Sequence, residues 1–546
     1  MAKKRLGELL KDDGYINDEH IKFALKEQKA TGELLGEVLV RLGIVTDREI
    51  AQSLSKQFGL PFIDIKEIKP DISAMKLINL NFCRQQKVFA FEKKDKTLNV
   101  AIANPDDERL ADLISRITNL KLNFYIASQT DIKEAIETNY YLLEHPIEQD
   151  IERIINAVRA NPNIDINMED FTRSIFILAI NMRSSDIHIT PTDKSLHVHF
   201  RIDGVMQLVY SMPYSITNRF ISNIKVRAGM DISEQRKPQD GRISFEFLGK
   251  IYDMRVSTVR TIYGENVVIR ILGASSSLYS MPNLGFDSKD LAKLEVAFSK
   301  PYGIILISGP TGSGKTTTLY AALRRINALE KNIMTVEDPI EYKYPMARQT
   351  QVNELAGYDF SNAIVSFMRQ DPDVMLIGEI RDSKTAQMAI RASMTGHLVL
   401  STIHANDCIG IIPRLRDLGV DSFLIASSLV ATVAQRLVRK LCPFCKEEIE
   451  ASRDDMEFLS IDKPIKIYKR HGCPKCNFTG YIGRTVVSQI LSINDIIRNL
   501  IAQDEPLYKI EKEAYESGMR TLLDDAKKKV IDGITDIEEI TRVFGR

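Results

Sequence analysis

Apolar and polar positions along the chain fall into helical and strand-like periods, and the changes of period divide it into elements. Residues 1 to 60 carry leucine and isoleucine at helical spacing, and the pattern is duplicated. Leu6-Gly7, Leu10, Gly14, Ile21, Leu25 and Gln28 recur as Leu35-Gly36, Leu39, Gly43, Ile50, Leu54 and Gln57 at a constant offset of 29. Each copy predicts a short helix ending at its glycine, then a helix capped by Asn17 or Thr46 with Glu19 or Glu49 nearby. From Gly59 to about Tyr141, PFIDI and TLNVAIANP read as strands, DERLADLISRI and DIKEAIETNYY as helices. His145-Pro146 breaks the pattern, and a polar helix followed by ANPNIDIN (Ala160 to Asn167) predicts a linker over 146–168. A second α/β domain, 169–275, opens with a helix that stops near Arg183. LHVHFRIDGVMQLVY then reads as strand, turn at Asp203-Gly204 and strand, and QRKPQDGRISFEF predicts a turn at Asp240-Gly241 between strands. LGASSSLYSMPNLGF (Leu272 to Phe286) is a serine-rich joint.

The third part, 283–546, is built on short unbroken apolar runs: Ile304 to Ile307, the run in NIMTVEDPIEY, Val374 to Ile377, and the run in TGHLVLSTIHAND. Each ends in polar residues, the pattern of buried strands in a doubly wound α/β sheet. YIGRTVV leads into helices from Ile493 to Phe544. The first of these runs meets Gly309 to Thr316, which fits G-x-x-x-x-G-K-[ST] before a helical pattern begins at Thr317. Strand, glycine turn and helix are the context a phosphate loop requires. Gly309, Pro310, Thr311, Gly312, Ser313, Gly314, Lys315, Thr316 and Thr317 are therefore the expected nucleotide cradle. Gly312 and Gly314 can turn successive amides toward one anion, Lys315 reaches the β and γ phosphates of ATP, and the Thr316 hydroxyl faces Mg²⁺.

Carboxylates stand where ligands bind in such sheets, outside the carboxyl ends of strands. Glu337 closes one run and Glu379 another; Gly378 stands where an aspartate helping to hold Mg²⁺ is usual. Glu337 is the expected general base and Glu379 its rival. His397 and His404 flank the last run, and His404 is placed to sense the γ phosphate. Arg201, Arg255, Arg260 and Arg270, in the preceding domain, can offer guanidinium groups to a bound nucleotide, with strand salt bridges as the plainer alternative. His197 and His199 share a strand face without a third ligand spaced to join them, so surface or half-buried strand histidines are the favoured reading there.

Composition narrows the function. The chain of 546 residues is long enough for about three or four domains. Lys plus Arg and Asp plus Glu number 73 each, so net charge is zero and no global basic footprint points to nucleic acid. No apolar run approaches the roughly 18 residues of a membrane span, which predicts a cytoplasmic protein that meets a membrane through partners. Four of the six cysteines form two C-x-x-C pairs, Cys442/Cys445 and Cys473/Cys476, 27 residues apart. Four thiolates suit tetrahedral Zn²⁺, a closed structural site within a 440–480 subdomain. Cys83 and Cys408 read as buried thiols.

The phosphate loop, TVEDPIEY, GEIRD, TGHLVLSTIHAND and the upstream RSSDIH and RIDG together resemble the assembly ATPases of type II secretion and type IV pilus extension, over about residues 160 to 546. The resemblance implies a RecA-like motor domain, a preceding PAS-like α/β domain, a homohexameric ring, and arginines, here Arg255 and Arg270, closing over ATP. By motif it makes Glu337 the Asp-box glutamate, Glu379 the Walker B glutamate, and His397 and His404 the His-box histidines; with Lys315, the expected catalytic residues among these are Glu337, Glu379 and His404. The duplicated run resembles the N-terminal cyclic di-GMP-binding domain of some such ATPases, placing that domain at 1–145. Arg5, Leu6, Gly7, Leu10, Gln28, Leu35, Gly36, Leu39 and Gln57 are the implied ligand positions. The second copy has Leu34 where the first has Arg5, and isoleucine stands at 21 and 50 where leucine is usual. The implied function is ATP hydrolysis powering pilin assembly at the inner membrane with a platform protein, with type II secretion or DNA uptake as the alternative cargo. A nucleic-acid translocase on the same core is a third reading, and a cyclic di-GMP receptor whose ATPase is incidental is a fourth.

Overall fold

The computed structural model describes residues 4–272 and 280–545, which divide into two compact units, residues 1–53 with 277–546 and residues 54–276. Residues 273–279 of the expected serine-rich joint lie outside the described residues.

A seven-stranded sheet forms the centre of the first unit, in the order Arg348–Gln351, Ile333–Glu337, Val374–Ile380, Leu398–Ile403, Gly303–Ser308, Leu429–Leu441, Tyr481–Ser492. The first six strands run parallel and the last is antiparallel. Gly303–Ser308, Ile333–Glu337 and Leu398–Ile403 are buried at every residue. Alternate side chains explain how: Ile305 and Ile307 join Leu319 and Leu323 on one face, while Ile304 and Leu306 join Ile390 and Leu415 on the other. Helices cover both faces, so the strands read as continuous apolar runs.

The duplicated run folds into four helices, Leu6–Asp12, Asp18–Thr31, Leu35–Arg41 and Asp47–Phe58. The Asn17 side chain caps the second, accepting from the His20 amide at 2.9 Å. Thr46 and Glu49 form a reciprocal capping box at the fourth: the Glu49 amide donates to Thr46 Oγ1 at 3.1 Å and the Thr46 amide to Glu49 Oε2 at 2.6 Å. A Cβ on Gly7 would meet Leu35 at 3.5 Å, and one on Gly36 would meet Leu6 at 3.1 Å. The two Leu-Gly heads thus pack reciprocally; the approach is tight at Gly36 and an ordinary contact at Gly7.

The second unit contains a three-stranded sheet, Val88–Lys94, Thr97–Ile102 and Lys121–Ile126, and a six-stranded sheet that is antiparallel throughout. Two expectations are corrected here. The stretch expected as a linker holds the helix Ile147–Ala160, whose Ile147, Ile151, Ile155 and Val158 are buried in the core of the six-stranded sheet. Its charged residues mask an apolar face at positions four, four and three apart. Asp240 and Gly241 lie inside the strand Gln239–Phe247, paired with Ser257 and Val256. A Cβ at Gly241 would sit 2.4 Å from the Ala228 carbonyl, so close backbone approach selects this glycine. The hairpin turns instead at Leu248-Gly249, both at positive φ, 50° and 73°.

Candidate active site

The strand Gly303–Ser308 delivers the chain into the glycine turn, and the helix Lys315–Arg325 leaves it. A Cβ on Gly309 would lie 2.5 Å from both the Gln435 carbonyl and Ser313 Oγ, so the first glycine lets the loop fold against the neighbouring strand. Gly314, at φ 85°, is the cap from which the helix starts. A helix N-terminus that follows a glycine turn is an arrangement that favours phosphate. Lys315 Nζ donates to the Gly309 and Pro310 carbonyls at 2.8 and 3.2 Å. Burial holds the Lys315 pKa below its usual value, opposed by the Glu379 carboxylate nearby. Thr316 and Thr317 are half-buried on the first turn, and Thr317 Oγ1 shares a hydrogen bond with Tyr342 Oη at 3.2 Å.

A residue the sequence did not reveal secures this loop. Gln435, fully buried on the next strand, donates through Nε2 to the Ser313 carbonyl at 2.7 Å and accepts from Thr318 Oγ1 at 3.0 Å. One amide side chain thereby ties loop, helix and sheet together.

The strand ends converge as the parallel register requires. Ser308 and Ile380 both pair with Ile403, and Val336 with Ile377, so Gly309, His404, Glu379 and Glu337 emerge along one edge. Glu337 is only 3% exposed and accepts from Tyr320 Oη at 2.7 and 2.8 Å and from Thr335 Oγ1 at 2.7 Å. Burial raises its pKa, partly offset by these donors. Gln349 Nε2 reaches both Tyr320 Oη, at 2.6 Å, and Glu337 Oε1, at 3.4 Å. Glu379 pairs with Arg381 and lies 3.7 Å from His404 Nε2. Lys315, Glu379 and His404 therefore form one electrostatic group, with Glu337 in an adjoining buried network. His397 belongs to neither. Its backbone carbonyl accepts from the Gly303 amide, at the start of the phosphate-loop strand, and its Nδ1 meets the Ala392 carbonyl at 2.8 Å. The two histidines flank the strand Leu398–Ile403 as expected; a strand's two ends lie on opposite edges of the sheet, and His404 is the one that follows the ligand edge.

The six-stranded sheet gathers the upstream arginines into a row. Cross-strand register aligns Arg201 with Asp186, Asp186 with Arg270, Arg270 with Arg255, and Arg255 with Arg242. Arg270 Nε donates to Asp186 Oδ1 at 2.9 Å, and Arg201 lies 3.6 Å from the other oxygen. Asp186 neutralises part of the row, while Arg255 and Arg242 stand exposed beyond it. Arg242 was missed because only the register across the sheet brings it opposite Arg255. Arg260 pairs with Glu265 across a hairpin outside the row.

Residues 165–542 match the family model described as "Type II/IV secretion system protein". The chain belongs to that secretion family. Its residues 58–145 also match the MshEN domain model. The chain is 37% identical to the type IV pilus assembly ATPase PilB of Myxococcus xanthus over 98% of each chain. It is 36% identical to the type II secretion system protein E of Xanthomonas campestris over 99% of this chain and 98% of that one. Among solved structures, the ATPase DotB of Legionella pneumophila covers 69% of this chain and 95% of its own, at TM-score 0.51 and 18% identity, a likeness of fold.

In this family member the four knuckle cysteines bring their sulfurs within 4.8 Å of one another. Three separations are 3.9, 3.9 and 3.8 Å. A tetrahedron of Zn–S bonds of about 2.3 Å has edges of about 3.8 Å, so the donor set fits Zn²⁺. Amides of Gly472 and Gly480 donate to Cys445 and Cys476 sulfurs at 3.3 and 3.2 Å, the support that thiolates require. His471 turns to Glu447, 3.1 Å away. Cys83 and Cys408 are buried, as expected.

In the tandem run, Arg5 is exposed just before the first helix, and Leu6, Leu35 and Gln28 are half-buried. Leu10 and Leu39 have no solvent exposure, so they support the motif from within and offer no surface to a ligand. Gln57 is on the last turn of the helix Asp47–Phe58. The run precedes the span of the MshEN match. No described helix is long and apolar enough to cross a membrane.

Proposed function

We propose that this ATPase of the secretion family hydrolyses ATP to power type IV pilus assembly as a homohexamer working with an inner-membrane platform protein. The end-to-end match with a pilus assembly ATPase, on a chain with the phosphate loop and two strand-end carboxylates, carries the reading. Lys315 and the loop amides hold the β and γ phosphates; Thr316 and Glu379 would hold Mg²⁺, which supplies charge neutralisation on the phosphates. Glu337 takes a proton from water as the water oxygen bonds to the γ phosphorus and the bond to the ADP oxygen breaks. Its raised proton affinity suits a base. His404, beside Glu379, responds to the γ phosphate, and Arg255, Arg270 and Arg242 supply positive charge from the preceding domain. The cysteine knuckles hold Zn²⁺ structurally, and Arg5 with the Leu-Gly and Gln positions binds cyclic di-GMP.

Lys315→Ala should abolish phosphate release by the purified protein, and a strain carrying it should assemble no pili. Unchanged turnover would overturn the reading. The type II secretion relative, nearly as similar, supports secretion as the second reading. Cargo decides between them: restoration of secretion and not of piliation in the corresponding deletion strain would favour it.

A further inference from the structure

Arg324 lies on the last turn of the phosphate-loop helix, nine residues beyond Lys315 and about 14 Å along the axis. Its side chain enters the second copy of the N-terminal repeat. Nε donates to the Gly43 carbonyl at 3.0 Å, and Nη2 donates to the Ile44 carbonyl at 3.3 Å and to Glu49 Oε2 at 2.7 Å. Both partners of the ion pair are nearly sealed from solvent, at 4% and 5% side-chain exposure. The same Glu49 oxygen accepts from the Thr46 amide and hydroxyl. A single carboxylate oxygen therefore joins the cap of the fourth helix to the end of the phosphate-loop helix.

A second link runs through the catalytic network. Met346 packs into the core of the repeat helices. Tyr344, two residues before it, lines with Tyr15, His20 and Arg324 a small cavity of about 30 Å³ at the same junction. The Tyr344 amide donates at 2.8 Å to Gln349, the residue that reaches Tyr320 and Glu337. The repeat thus touches both elements that position Glu337, the helix carrying Tyr320 and the segment carrying Gln349.

The junction also contains opposition. Arg324 Nη1 is buried without a hydrogen-bond partner, and Glu330 meets Glu19 of the first copy, whose side-chain hydrogen bond and like charge together raise its pKa. At the offset of 29, His20 occupies in the first copy the position of Glu49 in the second. Only the second copy offers Arg324 a carboxylate. The duplicated motif is asymmetric where it meets the motor.

We propose that Arg324 and Glu49 form a coupling latch, through which a ligand on the N-terminal repeat and nucleotide on the phosphate loop alter each other's affinity. This rests on the reading that the repeat binds cyclic di-GMP. Coupling between sites is reciprocal, and typical values span about 5- to 150-fold in affinity. Glu49→Gln tests the latch, because glutamine preserves the capping box while removing the charge that meets Arg324.

Full-length protein is titrated calorimetrically with a non-hydrolysable ATP analogue and Mg²⁺, with and without saturating cyclic di-GMP. In the wild type, cyclic di-GMP should change analogue affinity by about fivefold or more. In Glu49→Gln, and independently in Arg324→Gln, each ligand should still bind while that ratio falls to about one. Where cyclic di-GMP binds, a wild-type ratio of one, or a full ratio retained in both variants, overturns the latch. Amide hydrogen exchange separates this from failure of the cyclic di-GMP reading. Analogue alone should slow exchange at residues 43–50 in the wild type and leave the variants unchanged. Absence of that slowing in the wild type overturns the coupling, whereas its presence alongside a flat cyclic di-GMP titration supports the latch and removes only the ligand assignment.

Discussion

Glu337 is a carboxylate kept out of water and held by a tyrosine, a threonine and a glutamine. Burial raises its pKa from 4.5, so protonation persists to higher pH than on an exposed glutamate. A base must be ionised to act, so hydrolysis should decline as pH falls through this elevated value. Glu337→Gln should keep ATP binding, slow turnover by about 100-fold or more, and flatten the acid limb of the rate profile. The sign for stability is opposite: a carboxylic acid with a raised folded-state pKa costs stability once pH exceeds its unfolded value, with the full cost above the folded one. The same variant should therefore melt no lower than wild type at neutral pH while losing activity. Thermal melts beside phosphate-release rates check both halves.

Among elements, the strand Leu429–Leu441 matters most for the site because Gln435 projects from it to the phosphate loop. Gln435→Leu leaves the Ser313 carbonyl and Thr318 hydroxyl without that partner, each buried unsatisfied group costing about 1–3 kcal/mol. Nucleotide affinity should fall roughly tenfold or more and the melting temperature should drop, measurable by titration and calorimetry. Nothing local in the sequence announces this residue, since its partners lie 122 and 117 positions away. The phosphate loop and the strand-end carboxylates were legible because their chemistry is carried by contiguous residues on buried apolar runs. The turn misplaced at Asp240-Gly241 shows the limit: Asp-Gly signals a hairpin by local preference, but here a glycine was selected by a backbone passing 2.4 Å from where a Cβ would be. The two histidines that flank one strand show a related limit. Spacing identifies a strand's flanks but not which flank meets the ligand edge. The register of the repeat was visible as an offset, whereas its docking through Arg324 depends on residues 275 positions apart.

Over the whole molecule, the cysteine knuckles test whether the metal is structural. Metal analysis should find one zinc per chain, and Cys473→Ser or a strong chelator should lower the melting temperature by about 5 °C or more, restored by Zn²⁺ for the chelated protein. The subdomain they close is joined directly to the engine. Leu429–Leu441 has 13 residues, a rod of about 43 Å, with Gln435 midway along it and Cys442 immediately after its end. Its antiparallel partner, Tyr481–Ser492, returns from Cys476 alongside it. Were Zn²⁺ held there, as proposed, its loss would loosen a spar that ends in the fuel grip while every fuel-binding side chain stayed intact.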